Sequence, residues 1–158
     1  MIKLDIINNI ESSKINNNDL IDVISNIDQK YSKLDHKFNY EIAILITDNK
    51  EIKYYNNKYR SKNKETNILS FPNIDEIDRE INPIIGDIII SEEKLTHEAM
   101  EQNKRFNNHL KHIFLHGVLH LFGYNHENEH DEQIMESIEV EILKKLNINN
   151  PYIDNKSE

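Results

Sequence analysis

Hydrophobic and polar positions alternate at the start of the chain. Ile2, Leu4 and Ile6 stand against Lys3 and Asp5, the period of a half-buried strand. From residue 17 to 34 the period lengthens. Leu20, Val23, Ile24, Ile27, Tyr31 and Leu34 form one helical stripe, with Asn and Asp residues ahead of it as caps. Tyr40 to Thr47 is a β-branched strand. Asp48 or Asn49 opens a helix through Arg60, with Ile52, Tyr55 and Tyr59 on its inner face. Asn67 to Phe71 reads as a strand ended by Pro72, a polar loop covers Asn73 to Asn82, and Ile84 to Ile90 is another strand. Ser91, followed by Glu92 and Glu93, starts a helix that runs to about Arg105. Asn107 is placed to cap the next helix, which ends at Gly123, and a last helix from about Glu129 to Leu146 aligns Ile134, Ile138, Ile142 and Leu146.

This order of elements predicts an α/β fold: a single domain with a mixed sheet of about four strands covered by about five helices, over residues 1–152. Residues 153–158 are expected to be a frayed tail. Strand order is not readable from the pattern. A chain of 158 residues can bury a core without disulfides or a structural metal. Cysteine is absent, so there is no disulfide framework. The first ten residues lack a long apolar stretch, and no run approaches the ~20 apolar residues that span a bilayer. A cytoplasmic protein with no membrane partner is the expectation.

The net charge of −9 argues against nucleic-acid binding over the whole surface. The charge is uneven, however. Lys50, Lys53, Lys58, Arg60, Lys62 and Lys64 cluster in one stretch, and Glu127, Glu129, Asp131, Glu132, Glu136, Glu139 and Glu141 crowd another. A local basic patch fits the first stretch, as does a solvated helix end. The acidic last helix reads as a solvated face over an apolar stripe.

The most constraining chemistry is the spacing His116-x3-His120-x5-His126. On a helix, His116 and His120 lie one turn apart on the same face, with Cβ atoms about 5–6 Å apart. Gly123 can end the helix in a left-handed conformation and return His126 toward them. His112-x3-His116 has the same spacing, and His109 continues the stripe, but only the later pair is followed by the glycine and a returning histidine. His116, His120 and His126 are therefore the candidate metal ligands. His112 and His109 read as residues behind the ligands, facing substrate or merely packed. Three protein ligands without cysteine favour an open zinc site, one ion per chain, with a coordinated water as nucleophile in a hydrolysis. The spacing is also that of metzincin peptidases, which place a glutamate base directly after the first histidine; here that residue is Gly117.

The run HGVLHLFGYNH, the segment from Tyr59 to Pro72 (YRSKNKETNILSFP) and the strand Gly86-Asp87-Ile88-Ile89-Ile90-Ser91 together resemble the YbeY family of bacterial metal-dependent endoribonucleases. The likeness runs from about residue 40 to about 152. It implies zinc on His116, His120 and His126, and an Arg60 that faces the metal cleft and takes part in activity. Without that resemblance, a surface ion pair is the simpler reading of Arg60. A guanidinium suits the role because it can fork onto two phosphate oxygens, with Lys62 and Lys64 extending the substrate-binding patch. The resemblance further implies cleavage of single-stranded RNA in maturation of the 16S 3′ end and in ribosome quality control. Partners would then be ribosomal RNA and small-subunit proteins or assembly factors. Asn125 stands where the family usually has Asp, a position that either orients a ligand or caps the turn. A metzincin-like peptidase and a non-catalytic, zinc-stabilised ribosome-assembly factor are the competing readings.

Overall fold

The computed structural model describes residues 1–35, 37–73 and 83–153. Most of the polar loop expected at 73–82 and of the expected tail lies outside them. The strands form where alternation and β-branching predict: β1 (Ile2–Asn8), β2 (Tyr40–Thr47), β3 (Ile68–Pro72) and β4 (Ile84–Ser91). They make one mixed sheet in the order β1-β2-β4-β3. β1, β2 and β4 run parallel and β3 antiparallel to β4. Pro72, which has no N–H to donate, is accommodated because β3 is an edge strand.

Six helices connect and cover these strands among the described residues, one more than the sequence suggests: α1 (Asn17–Ser25), α2 (Gln29–Ser32), α3 (Asn49–Arg60), α4 (Glu92–Glu101), α5 (Phe106–Leu121) and α6 (Glu129–Lys145). The extra one comes from a break in the stripe at 17–34. The Asn26 N–H closes α1 on the Val23 carbonyl and the Ile27 N–H on that of Ile24, and the Asp28 side chain accepts from Lys30 N–H to start α2. Ile24, Ile27, Tyr31 and Leu34 still pack against the core, so the apolar period survives the break.

Two helix ends also differ from expectation. α4 stops at Glu101 because Asn103 turns left-handed (φ 54°) and Lys104 N–H bonds back to the Ala99 carbonyl. α5 begins with Arg105 as its cap residue and no capping side chain, which leaves Asn107 inside the helix. Phe106, packed against the core beneath the Lys14 ammonium, sets that start.

α5 runs through the centre of the molecule, with Leu110, Phe114, Leu115, Val118 and Leu119 fully buried against Ile42, Ile44 and Ile46 of β2 and Ile88 and Ile90 of β4. α1 and α6 flank it. The opposite sheet face is partly covered by α3, where Ile52 packs with Leu69 and Ile89. On α3, Asp48 caps as expected, but Tyr59 faces solvent and Asn56 takes the buried place. On α6, Met135 rather than Ile134 joins the buried stripe. No described helix is long and apolar enough to cross a membrane.

Candidate metal centre and cleft

α5 ends as its sequence predicts. Gly123 takes a φ of +99°, and Tyr124 N–H bonds to the Leu119 carbonyl at 3.0 Å, a six-to-one closure that reverses the chain. His126 thereby returns to His116 and His120, with ring centroids 5.5 and 5.1 Å away, and the three rings offer nitrogens all within 4.8 Å of one another.

The tautomers of two rings follow from their partners. His120 Nδ1 lies 3.0 Å from the Tyr124 carbonyl, an acceptor, so that nitrogen carries the proton. His116 Nδ1 lies 3.0 Å from Oε2 of Glu139 and donates to it in the same way. Both Nε2 atoms are left with lone pairs, and they face each other at 3.0 Å. Two lone pairs at that distance need a proton or a cation between them. Burial, reinforced by the neighbouring His116, lowers the His120 pKa to about 4, against a weaker raising effect of the Tyr124 carbonyl, so His120 itself presents Nε2 as a lone pair near neutrality. A tetrahedral ion with bonds of about 2.0–2.1 Å would hold two ligand nitrogens about 3.3 Å apart, close to this spacing. The donor set therefore fits a zinc-type ion.

Glu139 is the residue that sequence reasoning missed. It lies on α6 with its side chain fully buried. Oε2 accepts from His116; Oε1 accepts from His112 Nε2 at 2.9 Å and from the Tyr152 hydroxyl at 2.6 Å. Burial pushes its pKa up, but the hydrogen bonds from His112, His116 and Tyr152 outweigh this and hold it at about 2. Burial and the same carboxylate push the Tyr152 hydroxyl upward. The acidic helix is thus not solvated throughout. A signal was present, since Glu139 shares the apolar phase of Met135 and Ile142. His112 reaches the centre through Glu139. His109 does not reach it; it is buried and bonds Glu98 of α4 at 2.9 Å.

Across from the histidines lies the β3 edge. Arg60 Nη2 donates to the Ser70 carbonyl at 2.6 Å, and its guanidinium carbon sits 5.3 Å from the Phe71 ring centroid. No carboxylate pairs with it among the described residues. The Ser70 hydroxyl donates to the Gly117 carbonyl at 3.1 Å, so a single residue ties the arginine to the histidine helix. Gly117 is needed for that approach: a Cβ there would lie 2.5 Å from Ile68 Cδ1 and 2.9 Å from Ser70 Oγ. Lys62 and Lys64 lie on the loop after α3, where the buried Asn56 donates to the Lys64 carbonyl at 2.9 Å.

Arg60, Lys62, Lys64, His116, His120, Asn125 and His126 all line one cleft of about 500 Å³. Asn125 accepts the Glu127 N–H at 3.2 Å, which is the turn-capping arrangement. Glu127 contributes the sole carboxylate among the cleft's described residues.

Fold and site together define a class: single-domain α/β proteins with three converging imidazoles in an open, cation-rimmed cleft. A family model described as Endoribonuclease YbeY matches residues 5–147. The Endoribonuclease YbeY of Francisella tularensis subsp. tularensis is 42% identical over 126 residues, 75% of either chain. That of Bartonella bacilliformis is 42% identical over 115 residues, 72% of this chain and 73% of its own. A Thermotoga maritima protein solved in solution aligns with a TM-score of 0.57 over 96% of this chain and 100% of its own, at 21% identity, a likeness of fold alone. The chain belongs to the YbeY endoribonuclease family.

Proposed function

We propose that this chain is a zinc-dependent endoribonuclease that prefers single-stranded RNA. It acts in maturation of the 16S ribosomal RNA 3′ end and in ribosome quality control, in the cytoplasm and beside small-subunit proteins or assembly factors. Family membership supports RNA cleavage. The observation that carries the mechanism is the cleft itself, where three imidazoles face three cationic side chains.

His116, His120 and His126 hold the ion through imidazole nitrogens. When bound, zinc supplies Lewis acidity and a water acidic enough to act as nucleophile near neutral pH. Arg60 uses one donor on Ser70 and keeps its others for two phosphate oxygens, where the guanidinium offsets the charge that develops during displacement. Lys62 and Lys64 hold the RNA backbone on either side of the scissile bond. The acidic remainder of the surface restricts binding to this patch.

The peptidase alternative asks for a carboxylate base at position 117. A Cβ at that position would lie 2.5 Å from Ile68 Cδ1 and 2.9 Å from Ser70 Oγ, so a glutamate there would have to displace both β3 side chains. The assembly-factor alternative retains the zinc and removes turnover. The test is zinc content and RNA cleavage of the wild type, His116→Ala/His120→Ala and Arg60→Ala. One zinc per chain that is lost in the double variant, with cleavage lost in both variants, is the expected result. Full cleavage by either variant overturns the mechanism, and RNA binding without turnover by zinc-loaded wild type selects the assembly factor.

A further inference from the structure

The metal centre does not end at its three histidines. Glu139 comes 23 residues after His116 on a different helix, and its side chain has no solvent exposure. A carboxylate at such a site is ordinarily neutralised by Lys or Arg. Among the described residues none pairs with this one, and its partners are two histidines and a tyrosine hydroxyl. The two oxygens divide the work. Oε2 takes only the His116 Nδ1 proton, while Oε1 takes His112 Nε2 and the Tyr152 hydroxyl.

Tyr152 comes from the turn after α6. Its ring meets that of His112 edge-on with centroids 5.5 Å apart, and its hydroxyl reaches inward although the residue as a whole is 44% exposed. The Pro151–Tyr152 turn therefore closes the side of Glu139 that faces away from the histidine cluster. His120 needs no such arrangement, because the Gly123 reversal supplies a backbone carbonyl to its Nδ1. His116 sits mid-helix, where its neighbouring carbonyls are used by the helix, so its orienting acceptor must come from another element.

We propose that Glu139 is a positioning residue, locked by Tyr152 and His112, that holds His116 as the Nδ1–H tautomer with Nε2 turned toward the metal. This rests on the reading of His116, His120 and His126 as zinc ligands. The C-terminal turn then belongs to the metal centre, and losing its tyrosine loosens the carboxylate without touching a ligand. Outer partners of this kind typically change metal affinity by about 10- to 100-fold.

The experiment has two parts. Histidine-selective ¹⁵N NMR of wild type, zinc-loaded and chelator-stripped, reads which His116 nitrogen carries the proton, at a mildly alkaline pH where imidazoles are neutral. Chelator competition then gives the zinc Kd of wild type, Glu139→Gln and Tyr152→Phe. Expected are an Nδ1–H His116 in stripped wild type, zinc binding weaker by about 10- to 100-fold in Glu139→Gln, and a smaller loss, about threefold or more, in Tyr152→Phe. Tyr152→Phe removes one donor and leaves the bond to His116 in place, so it serves if Glu139→Gln does not fold.

A protonated Nε2 on His116 in stripped wild type overturns the proposal. So does unchanged zinc affinity in folded Glu139→Gln or, if that variant is unfolded, in Tyr152→Phe. A lower melting temperature with zinc affinity intact identifies Glu139 as structural only. Wild type that binds zinc in this way but does not cut RNA sinks the functional reading and leaves the positioning role standing. Wild type that takes up no zinc overturns both.

Discussion

Replacing Gly117 by alanine sets two known effects against each other. In a helix interior alanine is favoured over glycine by about 1 kcal/mol, so an open site would be stabilised. Here the new methyl would lie 2.5 Å from Ile68 Cδ1 and 2.9 Å from Ser70 Oγ. Forcing a methyl into a packed contact costs about 1–3 kcal/mol. Displacing Ser70 also weakens its hydrogen bond to the Gly117 carbonyl, worth about 1 kcal/mol. The sum is a net loss of about 1–3 kcal/mol, measurable as a lower urea midpoint at unchanged slope. Two companions separate the causes. Ile68→Val deletes the nearer clashing atom and should restore part of the loss in the Gly117→Ala background. Ser70→Ala alone should cost about 1 kcal/mol while leaving its carbonyl for Arg60. Because Ser70 joins Arg60 to α5, Gly117→Ala should also slow RNA cleavage in the folded protein with zinc still bound. Gly117→Ala as stable as wild type or more so would show that Ile68 and Ser70 give way without cost, and would remove the steric case against a glutamate there.

Other outcomes are as specific. Arg60→Lys keeps the charge and loses the planar fork, so cleavage should fall on the order of 10²-fold with zinc content and fold unchanged; full activity would reduce the role to a point charge. Asn125→Asp preserves the acceptor for Glu127 N–H and adds a negative charge to the cleft lining, so zinc should bind several-fold more tightly by chelator competition; equal affinity would leave position 125 as a turn cap only. In metal-free protein, the depressed pKa of His120 means the unfolded chain takes its proton first. Stability should therefore fall as pH drops from 6.5 toward about 4, by at most about 3 kcal/mol. Glu139, held at about 2, extends the decline from 4.5 downward. Urea midpoints that stay flat across the upper window would contradict the buried, neutral His120.

Local chemistry explains what the sequence disclosed. Alternation at β1, β-branched runs at β2 and β4, the Asp48 and Ser91 caps and the Gly123 reversal each depend on neighbours within a few residues, and each stands where the pattern put it. The sheet order was hidden because parallel crossovers depend on how helices pack, not on any strand's composition. The break between α1 and α2 was hidden for a related reason: Ile27, Tyr31 and Leu34 stay on the core side across the turn, so the period carries on where the helix does not. Asn107 has the chemistry of a cap but lies inside α5, because the packing of Phe106 that fixes the true start is tertiary.

The candidate site divides along the same line. The histidines were legible because one helix and one turn carry all three, and spacing is then geometry. Arg60 was ambiguous on its own, since an exposed arginine in a basic stretch is usually solvated; its distinguishing contact, the Ser70 carbonyl, is ten residues away on β3. Glu139 was hidden among seven acidic residues after the cluster, six of which gave a sound reason to call the segment solvated. Its phase with Met135 and Ile142 was the one contrary sign. A carboxylate in an apolar phase is costly to bury, so its presence asks for a partner that repays the desolvation. Here those partners are one candidate ligand, a second histidine and the tyrosine of the C-terminal turn. A buried acid at a helix's apolar phase, in a chain that also carries a histidine cluster, is therefore a reason to look for a group that orients a metal ligand before counting the helix as surface.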